Sequence, residues 1–246
     1  MENMCGRYTL RQLTAIEHAF AFELRDLPAS LLQPRFNVAP GQLVLALSNA
    51  SGDIAAQAVP WGIHAPWNKG KSAIRSAATS AARETVVINA RLEKLQSSRF
   101  WSPMLGAGRC AIPADGFFEW QAARDGQPKQ PFLFELAGQQ PFAFAGLLGQ
   151  WHDSQDELKT GCVVVTTTPN ELVADVHDRM PVMLRGADVG NWLQPNTEAA
   201  LAVAGPLDST LMTARPVSRR VNDPTHDSED CVGAPGPLAG DQESLL

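Results

Sequence analysis

The chain has 246 residues, 44% of them hydrophobic and 19% charged, with a formal net charge of −6. That is an ordinary globular composition, long enough for one large domain or two small ones. No apolar run approaches the ~18 residues of a spanning helix and no basic-then-apolar leader opens the chain, so a soluble, cytoplasmic protein is expected.

The first informative segment is Met4-Cys5-Gly6-Arg7-Tyr8. After it, Leu13, Ile16 and Phe20 recur at helical intervals and predict a short amphipathic helix within residues 11–22. Residues 34–41 read as a Pro-bounded loop. Residues 43–47 and 54–61 read as strands around a Ser51-Gly52-Asp53 turn. Residues 61–71 form an aromatic, Pro- and Gly-containing loop, and residues 72–82 are small and polar. A strand over 85–88 leads into an expected helix over 89–100. Strands follow at 109–113 and 119–121, joined by the turn Ala114-Asp115-Gly116, and again at 132–136, 142–148 and 162–167. Asn170 is placed to cap a short helix through about Val176. Residues 181–184 are extended, and 189–193 and 197–204 are helical. Strands dominate without βαβ alternation, which points to an α+β single domain with an antiparallel, barrel-like β core and short flanking helices.

Charge is unevenly spread. Residues 223–246 carry six acids and no Lys or Arg, leaving 20 bases and 20 acids in residues 1–222, and the closing segment is expected to be a disordered acidic tail. Fifteen of the bases are Arg, the side chain that forks onto phosphate. A neutral body can carry a basic groove, so charge neither excludes DNA nor argues for it. Cys5, Cys110, Cys162 and Cys231 form no CxxC pair, and no histidine has ligand spacing with them. No disulfide framework, metal or other cofactor is expected.

Five groups of residues could carry chemistry. Cys5, if it became the first residue, would hold a thiol and a free α-amine together. That pair condenses with an aldehyde to a Schiff base and closes to a thiazolidine. With an α-amino pKa near ~7.8, roughly a tenth to a fifth is unprotonated at neutral pH, against about 0.04% for a lysine. Met1–Met4 would have to be removed or left untranslated. Glu119 sits among bulky aromatics in Gly116-Phe117-Phe118-Glu119-Trp120, a setting that raises a carboxyl pKa and suits it to proton transfer. His177, in Val176-His177-Asp178-Arg179-Met180-Pro181, can serve as acid or base, with Arg179 on an anionic ligand. Asn89-Ala90-Arg91 offers an amide and a guanidinium two residues apart, and Trp61 and Trp67 bracket a loop able to stack on unpaired bases.

Taken in order, Met4–Tyr8, Arg35-Phe36-Asn37-Val38-Ala39-Pro40, Trp61-Gly62, Asn89–Arg91, Arg109–Trp120, Phe144-Ala145-Gly146-Leu147, Thr166-Thr167, Asn170 and His177–Val182 resemble the SRAP family, the SOS response-associated peptidases or abasic-site processing proteins. The resemblance runs from Met4 to about Asn222 and implies a single domain over residues 5–222. It implies capture of abasic sites in single-stranded DNA through a thiazolidine crosslink, within DNA repair and the SOS response, by a monomer without metal or membrane that joins the nucleoid when bound. It implies Cys5 as nucleophile, Asn89 to position it, Glu119 to shuttle protons, and His177 to assist sugar ring opening. Arg7, Arg91 and Arg179 would hold phosphates, Pro40 and Trp67 would line the strand, and Trp120 would pack beside the site. The chain departs from the family pattern in Trp61-Gly62-Ile63-His64-Ala65-Pro66-Trp67, where the proline is shifted by one, and in Phe118, which replaces the usual Tyr. Two rival readings stand beside it: a thiol peptidase using Cys5, His177 and Glu119, and a non-covalent single-strand binder.

Overall fold

A computed structural model of the chain describes residues 5–20, 22, 24, 26–50, 52–64, 86–123 and 128–236. Strand β1 (Tyr8–Leu10) leads into helix α1 (Leu13–Phe20), which buries Ile16 and Phe20 at the spacing read from the sequence. Strands β2 (Arg35–Val38), β3 (Leu43–Ala50), β4 (Asp53–Pro60) and β5 (Ile63–His64) follow. Next come β6 (Val86–Val87), β7 (Asn89–Arg91) and helix α2 (Trp101–Ala107). The centre is built from β8 (Arg109–Ala114), β9 (Gly116–Gln121), β10 (Gln130–Leu136), β11 (Phe142–His152) and β12 (Leu158–Thr167). Helix α3 (Glu171–Ala174) begins at Asn170, whose side chain accepts from Val173 N at 2.9 Å. The chain continues through β13 (Met180–Pro181), β14 (Met183–Leu184), α4 (Ala187–Leu193), α5 (Thr197–Ala202) and β15 (Met212–Pro216). No described helix is long and apolar enough to cross a membrane.

Two sheets carry the architecture. One runs β15-β10-β9-β1-β2; the other runs β13-β12-β11-β8-β3-β4, with β14 beside β11 and β7 beside β12. The class is α+β, as expected, and the described strands form open sheets without closing a barrel. The turn expected at residues 114–116 is the crossing point between sheets, because β8 belongs to one and β9 to the other. Asp115 fixes that crossing. Its buried carboxylate accepts from Thr9 Oγ1 (2.6 Å), Arg11 N (2.5 Å), Arg11 Nε (2.8 Å) and Gln12 N (2.9 Å), so the charge is fully partnered. Gly116 is required beside it: a Cβ there would stand 2.8 Å from Thr9 Oγ1 and 2.9 Å from Leu133 Cδ1.

Three expectations change. Residues 35–38 are a strand, not loop, because β2 pairs with β1 (Tyr8 opposite Val38). Residues 89–91 are a strand and not the start of a helix: β7 runs parallel to β12, Asn89 opposite Val164 and Arg91 opposite Thr166. Backbone pairing with a buried central strand outweighs the local helical spacing, and the helix is delayed to Trp101. The third change concerns the acidic end. Through residue 236 it is folded onto β2: Asp227 accepts from Arg35 Nε (2.5 Å), Phe36 N (2.6 Å) and Asn37 N (2.8 Å). Cys231 packs with Phe118, Leu133, Val217 and Val221 in a small second core. The acid that suggested disorder is consumed as a ligand for backbone N–H groups.

The main core lies between the sheets. Phe144 is fully buried, edge-on to Tyr8, Phe117 and Phe142. Truncating it leaves a cavity its rigid aromatic neighbours cannot fill, so Phe144→Ala should lose ~3–5 kcal/mol of stability. Urea unfolding followed by tryptophan fluorescence checks this, and a loss under ~1 kcal/mol would contradict the packing described.

Candidate functional site

The register of β1 on β9 builds the site. Tyr8 lies opposite Phe117 and Thr9 opposite Gly116, and Phe118 N donates to Arg7 O at 3.0 Å. Continuing past Arg7, this antiparallel register puts Gly6 opposite Glu119, and the chain turns at Cys5, whose backbone nitrogen reaches the Glu119 carboxylate. Strand alternation sends Phe117 and Glu119 to one face of β9 and Phe118 and Trp120 to the other. Glu119 therefore shares the face of the main core and is only 2% exposed, whereas Phe118 helps form the second apolar cluster.

Cys5 is 1% exposed, and its backbone nitrogen donates to Glu119 Oε1 at 2.7 Å. Its φ of +35° lies in the left-handed region, uncommon for a residue with a Cβ. Burial first, and the Glu119 charge second, push the Cys5 thiol well above its ordinary range.

His177 stands behind the carboxylate, with Nε2 3.9 Å from Glu119 Oε2. Its Nδ1 accepts from Arg179 N at 3.1 Å and also lies 3.2 Å from Arg179 O and 3.3 Å from Asp178 Oδ1.

Asn89 reaches the same place from the other sheet, its Nδ2 donating to Cys5 O at 3.5 Å. Two residues on, Arg91 falls on the same side of β7 and is exposed. The structure therefore brings together Cys5, Asn89, Glu119 and His177.

The arginines differ. Arg179 forks onto Glu93 (Nη1–Oε1 and Nη2–Oε2, each 2.9 Å) and donates to Thr166 O at 2.8 Å, with only 11% of its side chain exposed. That guanidinium holds Glu93 below its usual range and ties the His177 loop to β12 and the residues after β7. Arg7 donates to Asn37 Oδ1 (3.0 Å), Val221 O (2.5 Å) and Asn222 O (3.5 Å), and its guanidinium lies over the Trp120 ring at 5.9 Å. Trp120 Nε1 donates to Asn222 Oδ1 at 2.7 Å. Gly6, Arg7, Pro40, Trp120 and Asn222 line an open cleft of about 300 Å³. Trp67 lies outside the described residues.

Sequence reasoning missed Glu93, Asn37, Val221 and Asn222. Asn37 was inside a quoted motif, but nothing in a linear chain says that its amide will meet residues 184 to 189 positions away. The cysteines are free, as expected. Spacing indicated no metal ligands, yet His226, Asp230 and Cys231 converge, their donor atoms within 4.8 Å of one another.

Cys5, Glu119 and His177 thus form a continuous line of contacts on an α+β frame, with the Cys5 backbone nitrogen on a buried carboxylate and a histidine beyond it. The chain belongs to the SOS response associated peptidase (SRAP) family, whose model matches residues 4–224. It is 34% identical over 233 residues to abasic site processing protein YoqW of Bacillus subtilis (strain 168), covering 93% of this chain and 99% of that one. It is 32% identical over 228 residues to abasic site processing protein YedK of Escherichia coli (strain K12), covering 89% and 94%. A crystal structure of a Bacteroides thetaiotaomicron protein shares the fold, with a TM-score of 0.70 at 20% identity over 94% of this chain and 97% of that one.

Proposed function

We propose that this protein processes abasic sites in DNA by capturing them, through a thiazolidine formed between Cys5 and the ring-opened sugar aldehyde. The observation that carries this reading is the 2.7 Å contact of Cys5 N with Glu119 Oε1, with His177 beyond the same carboxylate. Family membership, and relatives named as abasic site processing proteins, support the substrate class.

Loss of Met1–Met4 turns the Cys5 nitrogen into an α-amine resting on Glu119. His177 moves the proton of the sugar hemiacetal hydroxyl to the ring oxygen, which opens the aldehyde. Glu119 takes the ammonium proton, and the free amine adds to C1′. The carbinolamine loses its hydroxyl as water, protonated by the same acid–base pair, leaving an iminium. The thiol then adds to C1′: the C–S bond forms, the imine electron pair returns to nitrogen, and the thiol proton passes to Glu119. One amine, one thiol and one aldehyde become a thiazolidine and one water.

Burial and the Glu119 charge hold the Cys5 thiol above its ordinary range, so the sulfur is a poor first nucleophile, which supports attack by the amine first. A thiol peptidase needs a histidine that lowers its cysteine's pKa, and here burial and Glu119 act in the opposite direction. This favours the amine reading over the peptidase reading.

DNA partners follow from the surface. Arg91 is exposed beside Asn89 and suits a phosphate next to the lesion. The cleft with Arg7 over Trp120 suits an unpaired base, which favours single strands. Arg179, committed to Glu93, acts by positioning the His177 loop and reaches a phosphate only by leaving that carboxylate.

The test uses protein whose intact mass begins at Cys5, incubated with a single-stranded oligonucleotide carrying one abasic site. A one-to-one, SDS-resistant adduct is expected, and none with the same oligonucleotide bearing an intact base. Absence of the adduct with the abasic strand would reject the proposal.

A further inference from the structure

The loop after Asn222 carries a side-chain cluster the proposed chemistry does not use. His226 Nε2, Ser228 Oγ and Asp230 Oδ1 form a tight triangle, with edges of 2.7 Å (His226–Asp230), 3.0 Å (Ser228–His226) and 2.6 Å (Ser228–Asp230). Cys231 adds a sulfur from the buried side, where Sγ donates to His226 O at 3.4 Å. The nitrogen, oxygen and sulfur donors of His226, Asp230 and Cys231 all fall within 4.8 Å of one another. The opposite side is open, since the side chains of His226 and Asp230 are 31% and 46% exposed.

We infer that His226, Asp230 and Cys231 form a binding site for a divalent transition metal of the zinc class, completed by water or the Ser228 hydroxyl. Imidazole, carboxylate and thiolate are the donors zinc accepts, and a fourth open position is ordinary for three protein ligands. Zn–N and Zn–O bonds of about 2.0–2.1 Å place tetrahedral neighbours about 3.4 Å apart. The His226–Asp230 edge would open by about 0.6 Å from its hydrogen-bonded length, and Cys231 would close in. Binding breaks the Cys231 S–H bond and releases that proton to solvent. Arg220 supports the geometry: its Nε lies 3.1 Å from Asp230 Oδ2, which leaves Oδ1 turned to His226.

The position gives the site a purpose. Asn37 donates to the carbonyls of Val221, Asp223 and His226, and the same Asn37 accepts from Arg7. A metal on this loop would fasten the segment that holds Arg7 and Trp120 at the cleft. The site is separate from Cys5 and Glu119, so it stands or falls independently of the abasic-site reading.

The test is cobalt titration of the full, chelator-stripped protein. A thiolate-to-cobalt charge-transfer band saturating at one equivalent, and bleached by one equivalent of zinc, is expected. Because Cys5 is a competing thiol, the titration is repeated on Cys5→Ser, where the band should persist. It should vanish in Cys231→Ser. Cys231 is buried, so the exposed partner gives a second check: His226→Asn should weaken cobalt binding at least tenfold. Zinc should also raise the melting temperature of the unaltered chain. No band in the unaltered chain, a band that disappears with Cys5→Ser, or one indifferent to His226→Asn would overturn the inference.

Discussion

Protein that retains Met1–Met4 should form no SDS-resistant adduct with abasic single-stranded DNA, while protein beginning at Cys5 does. In the longer chain the Cys5 nitrogen belongs to a peptide bond. Its lone pair is delocalised into the carbonyl, and its one hydrogen is donated to Glu119. Such a nitrogen cannot add to an aldehyde, however well the aldehyde is placed. The thiol cannot substitute for it, since a thiol alone gives only a hemithioacetal, which reverts on denaturation and cannot close a thiazolidine without a free amine. A chain locked by a substitution that prevents removal of the first four residues, compared with free Cys5 protein on a denaturing gel, gives the measurement. Intact mass spectrometry verifies each terminus. Equal adduct yield from the two would show that the α-amine is not the attacking group.

Removing only the sulfur should change the product without stopping the first step. Cys5→Ala with a free terminus keeps the amine on Glu119 and can still form the iminium. With no thiol to close the ring, the iminium persists and acidifies the C2′ proton. Stable crosslinking should give way to strand cleavage by β-elimination, and borohydride should trap the intermediate as a reduced adduct. Glu119→Gln makes the complementary change: it preserves the shape and loses the proton acceptor, so adduct formation should slow by about 10²–10⁴-fold, the usual worth of a positioned acid–base group. No trappable intermediate with Cys5→Ala would place the sulfur, not the nitrogen, first in the reaction. An unchanged rate with Glu119→Gln would remove the carboxylate from the proton path.

The two changes separate roles that the geometry couples. Glu119 touches the Cys5 nitrogen, and His177 touches Glu119. Arg179 meets the site only through the backbone contacts that orient His177. Its effects should therefore be smaller than those of the groups it positions.

Local information was enough for much of this protein. The 3.6-residue spacing of Leu13, Ile16 and Phe20 placed α1, Asn170 marked the start of α3, and short apolar runs marked the central strands. The residue types at Cys5, Asn89, Glu119 and His177 carry their chemistry in their functional groups, so the sequence alone puts them forward as candidates, and the fold brings them together. What the linear chain could not express is which backbone groups pair across long separations. Asn89–Arg91 reads as helix alone and becomes a strand because β12 offers it a parallel partner. Arg179 reads as a free cation and is committed because Glu93, 86 residues away, meets it. The acids after Asn222 read as a repelled tail, yet Asp227 finds two unpaired N–H groups and a guanidinium on β2. In each case a charge or hydrogen-bonding group has one meaning by composition and another by partner. Composition is a property of the sequence, whereas the partner is supplied only when the sheets assemble.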